Sequence, residues 1–280
     1  MSIFDQKVIK YEMKPLSSLE KVFPDETPVY RMECQMLSGL WGETVSFQVA
    51  YTGDFVMRER LDVRVVSELA EHVHVRTVEM VPVGRATNGI VDDNYLKTTS
   101  GLYPDLLKDL KDGKVIVYSR QWRSLWVDVD ITNEIPAGEY EIELQLIKEG
   151  EVVCSAKQKV TVIGTELPKL DIMHTEWMHA DCLADYYHVE VFSEEHWKLL
   201  ENYFQEYVKR DCNMMLTPLF TSPLDTAIGL ERTTCQLIDV EVKDGEYVFG
   251  FEKLKRWIDL CKKCGIEYFE MSHLFSQWGA

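Results

Sequence analysis

The hydrophobic periodicity of the chain changes between residues 164 and 170, and this change limits the fold more than any other feature. Before it, apolar and polar residues alternate with period two, as in Glu139–Ile147. That period is typical of β-strands with one buried face. After Pro168, short apolar runs alternate with segments that carry helical apolar stripes. The sequence therefore predicts two domains, residues 1–165 and residues 170–280.

The first domain is predicted to be all-β. Several short segments alternate with period two and are separated by Gly and Pro, which is typical of an antiparallel β-sandwich of immunoglobulin-like type. The predicted strands are Val29–Met36, Glu43–Thr52, Leu61–Val66, Val73–Val83, Glu139–Ile147 and Val152–Ile163. The stretch Ile90–Lys114 has few strand signals and is predicted to be a long loop.

The second domain is predicted to alternate strands with helices. Ser193 is a good N-cap, and Gly265 is a good residue to end the second helix. Predicted strands are Leu170–His174, Asn213–Thr217 and Ile266–Met271, and Leu237–Phe249 is a hairpin turning at Asp244-Gly245. Because βαβ units form parallel sheets, the predicted fold class is β plus α/β, with an incomplete (β/α)8 TIM barrel of three strands after the sandwich. A complete barrel takes roughly 250 residues, so residues 170–280 would hold less than half of one.

Composition narrows the function. The formal net charge is -17 and 46% of residues are hydrophobic, so a folded acidic protein is expected, and neither nucleic acid nor an anionic membrane is a predicted partner. The seven cysteines are scattered, and Met1–Asp5 has no signal-peptide character, so a cytoplasmic location is predicted. Cys261 and Cys264 have redox or zinc spacing, but helix packing is the favoured interpretation.

The segment His174–His188 is the richest in residues that can carry chemistry. It combines carboxylates, imidazoles and aromatic rings, which together suit a carbohydrate cleft: aromatic faces stack on sugars and polar groups bind hydroxyls. The predicted substrate-binding residues here are Glu176, Trp177, His179, Asp181 and Tyr186. The alternative is a long, well-packed loop, and composition alone leaves both open.

A metal site is the second alternative for this segment. His174, Glu176, His179 and Asp181 are possible zinc ligands, but their spacing matches no defined zinc pattern. No metal is therefore predicted. Nucleotide and nucleophile motifs are absent as well, so no cofactor is predicted.

The end of the third predicted strand adds two more substrate-binding residues, His273 and Trp278. They follow a strand at the end where α/β enzymes place their sites. Glu270 lies within that strand, and the sequence leaves open whether it is a paired, buried carboxylate or an acid of the site.

Several of these runs resemble glycoside hydrolase family 123 and its uncharacterised relatives. The similar runs in the second domain are Thr175–Trp177, Asp181–Tyr187, Asn213–Pro218, Pro223–Thr226 and Ser272–Gly279. In the first domain Leu102–Leu106, the strand of Trp126 and Pro136–Tyr140 look like the N-terminal β-sandwich of the family. The resemblance covers essentially the whole chain.

The resemblance implies a β-N-acetylgalactosaminidase or a related exo-hexosaminidase acting on glycans that contain N-acetylhexosamine. In such enzymes the acetamido oxygen of the substrate attacks the anomeric carbon, while an adjacent Asp-Glu pair orients the acetamido group and protonates the leaving oxygen. That pair is expected beyond residue 280. Asp25-Glu26 and Glu194-Glu195 lie elsewhere and cannot replace it, so no catalytic residue is assigned.

The chain alone is therefore expected to be inactive. A complementing C-terminal chain or a homo-oligomer is a possible partner. The alternative function is a non-catalytic carbohydrate-binding or scaffold protein that retains part of the sugar cleft.

Overall fold

A computed structural model describes residues 10–29, 36–55, 58–87, 89, 91, 94–169, 171–220 and 232–273 of the chain. The chain divides into two compact units, Met1–Pro168 and Lys169–Ala280. Each unit has its own hydrophobic core. Within the described residues, no helix is long and apolar enough to cross a membrane.

The N-terminal unit consists of ten described strands in two five-stranded sheets. The strands are β1 (Lys10–Ser17), β2 (Met36–Trp41), β3 (Thr44–Asp54), β4 (Glu59–Val66), β5 (Val73–Val83), β6 (Gly101–Asp109), β7 (Lys114–Val117), β8 (Arg123–Asp130), β9 (Gly138–Lys148) and β10 (Glu151–Glu166). One sheet has the order β1-β3-β8-β5-β6 and the other β2-β10-β9-β4-β7.

One apolar core joins the two sheets. It includes Phe47, Leu61, Leu125, Ile142 and Val160, which come from strands of both sheets and are almost fully buried. These residues belong to runs that alternate with period two, so each strand turns one row of side chains inward. The predicted strands at 43–52, 61–66, 73–83, 139–147 and 152–163 are confirmed by β3, β4, β5, β9 and β10.

Two predictions for this unit need correction. The predicted loop Ile90–Lys114 contains strand β6, which pairs antiparallel with β5. Its alternation is weak because β6 is an edge strand and eight of its nine residues are not buried. The sheets are also not wholly antiparallel, since β2 lies parallel to β10. Most of the predicted strand Val29–Met36 falls outside the described residues.

The described part of the C-terminal unit contains three helices and two small sheets. The helices are α1 (Ala180–Tyr187), α2 (Glu194–Val208) and α3 (Glu252–Cys264). Strands β11 (Met214–Thr217) and β14 (Tyr268–Met271) form a parallel pair, and β12 (Asp239–Lys243) and β13 (Glu246–Gly250) form the predicted hairpin.

The predicted fold class is therefore wrong. The molecule is mostly β with several small sheets, and the described residues form no TIM barrel. Of the predicted first barrel strand, Leu170 lies outside the described residues, and residues 171–174 form no strand. The physical reason is that residues 172–174 form no regular ladder with β11: the His174 carbonyl accepts from the N–H groups of both Asn213 and Met214 at 3.1 Å, and the Asn213 side-chain amide makes two further bonds. Its Oδ1 accepts from the backbone N–H of His174 at 2.8 Å and its Nδ2 donates to the Ile172 carbonyl at 2.8 Å.

Both predicted helix ends are confirmed. The Ser193 hydroxyl accepts a hydrogen bond from the His196 N–H at 3.2 Å, which makes Ser193 the N-cap of α2. Gly265 ends α3 with φ 102°, a left-handed conformation that favours glycine. Cys261 lies in the core with Trp257, and Cys261 and Cys264 are free thiols whose pKa values burial raises.

Candidate functional site

The carboxyl ends of the parallel strands β11 and β14 define the candidate site. The Ser272 N–H donates to the Thr217 carbonyl at 2.9 Å, and the Ser272 hydroxyl accepts from the Leu219 N–H at 3.0 Å. These bonds hold the residues after both strands in one arrangement. Open α/β proteins bind their ligands at this end of parallel strands.

Trp177 lies at this end and is held by Glu270 of β14. The indole Nε1–H donates to Glu270 Oε2 at 3.0 Å, and Trp177 remains 50% exposed. Glu270 is thus a paired carboxylate, and its partner is an aromatic residue predicted to bind substrate. A ring that is fixed at one edge and half-exposed can offer a face to a sugar without losing side-chain entropy on binding.

Tyr207 of α2 holds the chain just before Trp177. Its hydroxyl accepts from the Glu176 N–H at 2.7 Å and lies 2.7 Å from the Met214 carbonyl, to which it donates. Burial raises the pKa of Tyr207, so the hydroxyl keeps its proton. Together with Asn213, this residue ties residues 172–177 to the start of β11. Neither residue was among the predicted site residues, although Asn213 begins the predicted strand Asn213–Thr217.

Glu176 points its carboxylate largely into solvent. The side chain is 76% exposed, and Oε1 lies 3.5 Å from the His174 Nε2. The Glu176 backbone is held by the Tyr207 hydroxyl, whereas the carboxylate group is exposed and accessible to a ligand.

His179 precedes α1 and is partly buried. Its ring Nδ1 is enclosed and has no hydrogen-bond partner among the described residues. A buried polar atom without a partner costs free energy, which makes it a good position for contact with a ligand or a water molecule.

His196 of α2 forms a hydrogen bond with the first residue of α1. Its Nδ1 accepts from the Phe192 N–H at 2.9 Å, so Nε2 carries the proton and donates to the Ala180 carbonyl at 2.9 Å. Burial lowers the pKa of His196, and this outweighs the opposing effects of the Ala180 carbonyl and of Asp181. The neutral ring therefore links α2 to the first residue of α1.

Asp181 is buried and paired with a residue that the sequence analysis did not consider. Both carboxylate oxygens accept from the Arg232 guanidinium, one through Arg232 Nε and the other from Arg232 Nη2 at 3.1 Å. The Asp181 side chain is only 2% exposed. Arg232 lies in an aperiodic stretch, so no pattern pointed to it. The geometry gives Asp181 a packing partner, and its predicted substrate contact stays a prediction.

Tyr186 lies in a cluster of tyrosines on α1 and α2. It is 76% exposed and packs edge to face on Tyr187 at 5.0 Å between ring centroids. The Tyr187 hydroxyl is 3.1 Å from that of Tyr203 in α2. Tyr186 thus presents a free ring supported by two others.

The remaining predicted residues are His273 and Trp278. His273 is exposed and follows Ser272 directly after β14. Trp278 lies outside the described residues.

The metal alternative gains no geometric support. Among the described residues, no three His, Cys, Asp or Glu side chains are grouped so that they could hold an ion. Of the four residues considered, His174 is near Glu176, whereas Asp181 is engaged by Arg232.

Comparison with known proteins gives a family match for the C-terminal unit. The sequence model described as glycoside hydrolase 123, catalytic domain, matches residues 177–280. That range includes Trp177, His179, Asp181, Tyr186 and His273, and begins one residue after Glu176. A search of curated proteins found no match.

Among solved structures, a family 123 glycoside hydrolase from Clostridium perfringens, studied for glycolipid glycan hydrolysis, matches 96% of this chain with a TM-score of 0.67. The sequence identity is 12%, so this likeness shows the fold alone, and the chain spans 51% of that structure.

Two other structures match less of the chain. A β-glucosidase from Listeria innocua in complex with isofagomine covers 57% of this chain and 17% of its own, with a TM-score of 0.26 and 10% identity. The N-terminal domain of PorA covers 52% of this chain and 99% of its own, with a TM-score of 0.26 and 11% identity. At these scores neither match bears on fold or function. Through the sequence of residues 177–280, and through a fold shared over almost its whole length with a solved member, the chain resembles glycoside hydrolase family 123.

Proposed function

We propose that this chain binds the terminal β-linked N-acetylhexosamine of a glycan and forms part of a glycoside hydrolase of the family 123 type. The observation that carries the proposal is the half-exposed Trp177, oriented by Glu270, inside the segment that matches the catalytic domain of that family. In this proposal the free face of the indole stacks on the apolar face of the sugar.

The polar groups around Trp177 bind the hydroxyl and acetamido groups. Glu176 offers an exposed carboxylate, and His179 offers a ring nitrogen that has no partner among the described residues. The second oxygen of Glu270 is an acceptor beside the indole. Such a mixture of one aromatic face and several acceptors suits a neutral, hydroxyl-rich ligand.

The reaction proposed for the complete enzyme is substrate-assisted hydrolysis with retention, in which the acetamido oxygen attacks the anomeric carbon. This route needs an Asp-Glu pair at the sugar. The sequence contains one adjacent Asp-Glu, at Asp25-Glu26. Both carboxylates face Lys97 of the N-terminal unit, at 3.7 and 2.6 Å.

Glu194-Glu195 is equally unsuitable. Glu194 forms two hydrogen bonds with Arg256, at 2.6 and 2.8 Å, in the first turn of α2. We therefore assign no catalytic residue and expect this chain alone to bind sugar without hydrolysing it. The pair would have to come from residues outside these 280.

A reducing, cytoplasmic location remains part of the proposal. It is supported by the six described cysteines, all of which are free thiols.

The test is calorimetric titration with N-acetylgalactosamine and N-acetylglucosamine. Wild type is expected to bind one of them, and Trp177→Ala should weaken binding at least tenfold, because a stacked aromatic contributes about 1.4 kcal/mol or more. Trp126→Ala is the matched control: Trp126 is also a partly buried indole whose Nε1–H donates to a carboxylate, Asp128 Oδ1, at 2.7 Å. Absence of binding to either sugar would contradict the proposal.

The alternative function is a non-catalytic carbohydrate-binding or scaffold protein, which would use the same half-exposed Trp177. A chromogenic N-acetylhexosaminide separates the two functions. Turnover after addition of a polypeptide that carries the rest of a family 123 catalytic domain supports the enzyme. Sugar binding that persists without turnover in that mixture supports the binding protein.

A further inference from the structure

A basic cleft lies at one edge of the N-terminal unit, and none of its lining residues belongs to the proposed sugar site. It is a cavity of about 520 Å³ where β4 and β7 of one sheet meet β5 and β6 of the other. Its lining includes five basic side chains: Arg58, Arg60, Lys108, Lys111 and Lys114. This concentration stands out in a chain whose formal net charge is -17.

The acids of the cleft have partners of their own. Glu59 accepts from Lys148 at 2.9 and 3.0 Å and also from the Tyr11 hydroxyl. Asp109 lies 3.5 Å from Arg76. The cations that pair with Glu59 and Asp109 lie outside the cleft lining, although Arg76 is shared between Asp109 and Asp128.

A third acid, Glu79, accepts a hydrogen bond from the Thr77 hydroxyl at 2.8 Å. Glu79 also lines the cleft, so an anion is expected to bind beside the basic residues of the lining rather than beside this carboxylate.

The basic residues fall into two groups. Arg60 and Lys114 are held by Asp112 and Asp62, each at 3.0 Å. Arg58, Lys108 and Lys111 form no ion pair with any described acid. Three cations without a counter-charge, converging on one cavity, favour the binding of an anion.

An adjoining cavity of about 270 Å³ shares Thr77, Glu79 and Ile116 with the cleft. It is lined by Arg123, whose Nε is buried and has no acceptor among the described residues. The guanidinium lies over the Tyr118 ring at 5.0 Å, which fixes its plane. A shielded guanidinium N–H without an acceptor is the kind of donor that a ligand oxygen satisfies.

We propose that the basic cleft binds an oxyanion, a sulfate, phosphate or carboxylate group, carried on a small molecule. Arg58, Lys108 and Lys111 supply the counter-charge, and a further oxygen of the ligand accepts from the Arg123 Nε–H beyond Ile116. A small ligand is favoured over a long polyanion such as a nucleic acid, because a polyanion would extend from the cleft onto the surface of a strongly acidic protein. The inference does not rest on the proposed function.

The test is calorimetric titration of the full chain at constant ionic strength, with sodium chloride as reference. The probes are inorganic sulfate, inorganic phosphate, a sulfated monosaccharide and its unsulfated form. We expect saturable binding of at least one anionic probe and none of the unsulfated sugar. Tighter binding of the sulfated sugar than of sulfate identifies a carried group, and equal binding identifies the free anion; both support the oxyanion site.

Two double variants with the same change in charge locate the site. Lys108→Gln with Lys111→Gln should weaken binding at least tenfold, whereas Lys157→Gln with Lys159→Gln, on β10 of the same unit, should leave it within twofold. Equal losses in the two variants would mean that only overall charge matters and would overturn the proposal. Failure of every anion to bind wild type would overturn it as well.

Two further measurements test whether the variants lose their fold and whether the cleft prefers a nucleic acid to a small anion. Thermal unfolding of both double variants in chloride checks that the residues, which are exposed, can be replaced without loss of folding. A single-stranded oligonucleotide is titrated last: if it binds more tightly than every small anion, and the Lys108 and Lys111 variant loses that binding, the small-ligand assignment is wrong.

Discussion

The pairing of Trp177 with Glu270 illustrates how a single contact changes what a residue can do. An unsupported surface tryptophan samples several rotamers, and a ligand must select one of them. The hydrogen bond to Glu270 makes that selection before binding, while leaving half of the side chain exposed. Glu270 is for this reason a positioning residue in the proposed sugar site.

A substitution at Asp181 can distinguish a structural role from substrate binding, because Asp181 was predicted to bind substrate but is observed to pair with Arg232. Replacing Asp181 with Ala removes a buried carboxylate that accepts two hydrogen bonds from Arg232, and we expect the free energy of unfolding to fall by about 3–5 kcal/mol. Urea denaturation measures this, and Asp185→Ala serves as the control because Asp185 is exposed on the same helix. Unchanged stability combined with lost sugar binding would instead assign Asp181 to the substrate.

His196 makes stability depend on pH. Its folded-state pKa is lowered by burial, so the unfolded chain binds a proton more readily than the folded chain. The stability it contributes is complete above the unfolded pKa of about 6.5 and is lost as pH falls through that value towards the lower folded pKa. We expect wild type to lose stability between pH 7.5 and 5.5 more steeply than His196→Gln. Parallel pH profiles of the two proteins, from urea denaturation, would contradict this.

Among the elements, the segment before α1 is held by side chains as well as by backbone hydrogen bonds, since the His174 carbonyl accepts from the N–H groups of Asn213 and Met214 at 3.1 Å. Asn213 bonds both a backbone N–H and a backbone carbonyl of residues 172–174, and Tyr207 bonds the backbone of Glu176. The parallel pair β11–β14 has only four residues in each strand. The hydrogen bonds of Asn213 and Tyr207 therefore fix backbone beside this pair that no strand pairing holds. The orientation of Trp177 therefore depends on the hydrogen bonds of Asn213 and Tyr207 as well as on Glu270.

Replacing Asn213 with Ala removes two of these hydrogen bonds. We expect a loss of about 1–3 kcal/mol, from roughly 0.5–1.5 kcal/mol for each bond, and faster amide hydrogen exchange at His174, whose N–H donates to Asn213. The control is Asn202→Ala on the exposed face of α2. If the His174 amide exchanges equally fast in both variants, the Asn213 side chain does not hold residues 172–174 in place.

For the molecule as a whole, the division into two units with separate cores has thermodynamic consequences. One core includes residues of every described strand of the first unit except β6, and the other includes residues of the three helices and of strands β11 and β14. The proposed sugar site belongs to the second unit and the basic cleft to the first. A ligand stabilises the unit that binds it in its folded state.

We therefore expect calorimetric unfolding of the chain to show two transitions. The N-acetylhexosamine that binds should raise only one of the two midpoints, and an oxyanion should raise only the other. At one hundred times the dissociation constant, each ligand should add about 2.7 kcal/mol to its own unit. One transition, with equal calorimetric and van't Hoff enthalpies, would show that the units unfold together.

Periodicity and local residue chemistry were enough to predict most strands of the N-terminal unit and the helix ends at Ser193 and Gly265. They also indicated the segment that holds Trp177 as a candidate binding segment. These features depend on near neighbours in the chain, because a strand or helix buries one face and ends at residues with suitable conformations. Strand β6 was missed because an edge strand buries too little to show alternation. The predicted barrel was wrong because the described residues form only one parallel pair, β11–β14, and residues 171–174, in which periodicity indicated a strand, bond irregularly to the backbone and side chain around Asn213.

The contacts of the site come from tertiary structure. Trp177 and Glu270 are 93 residues apart, and Asp181 and Arg232 are 51 residues apart. The basic cleft likewise combines residues from four strands of two sheets. No local pattern records such pairings, because a hydrogen bond or an ion pair between distant residues depends on how the packed elements bring their side chains together.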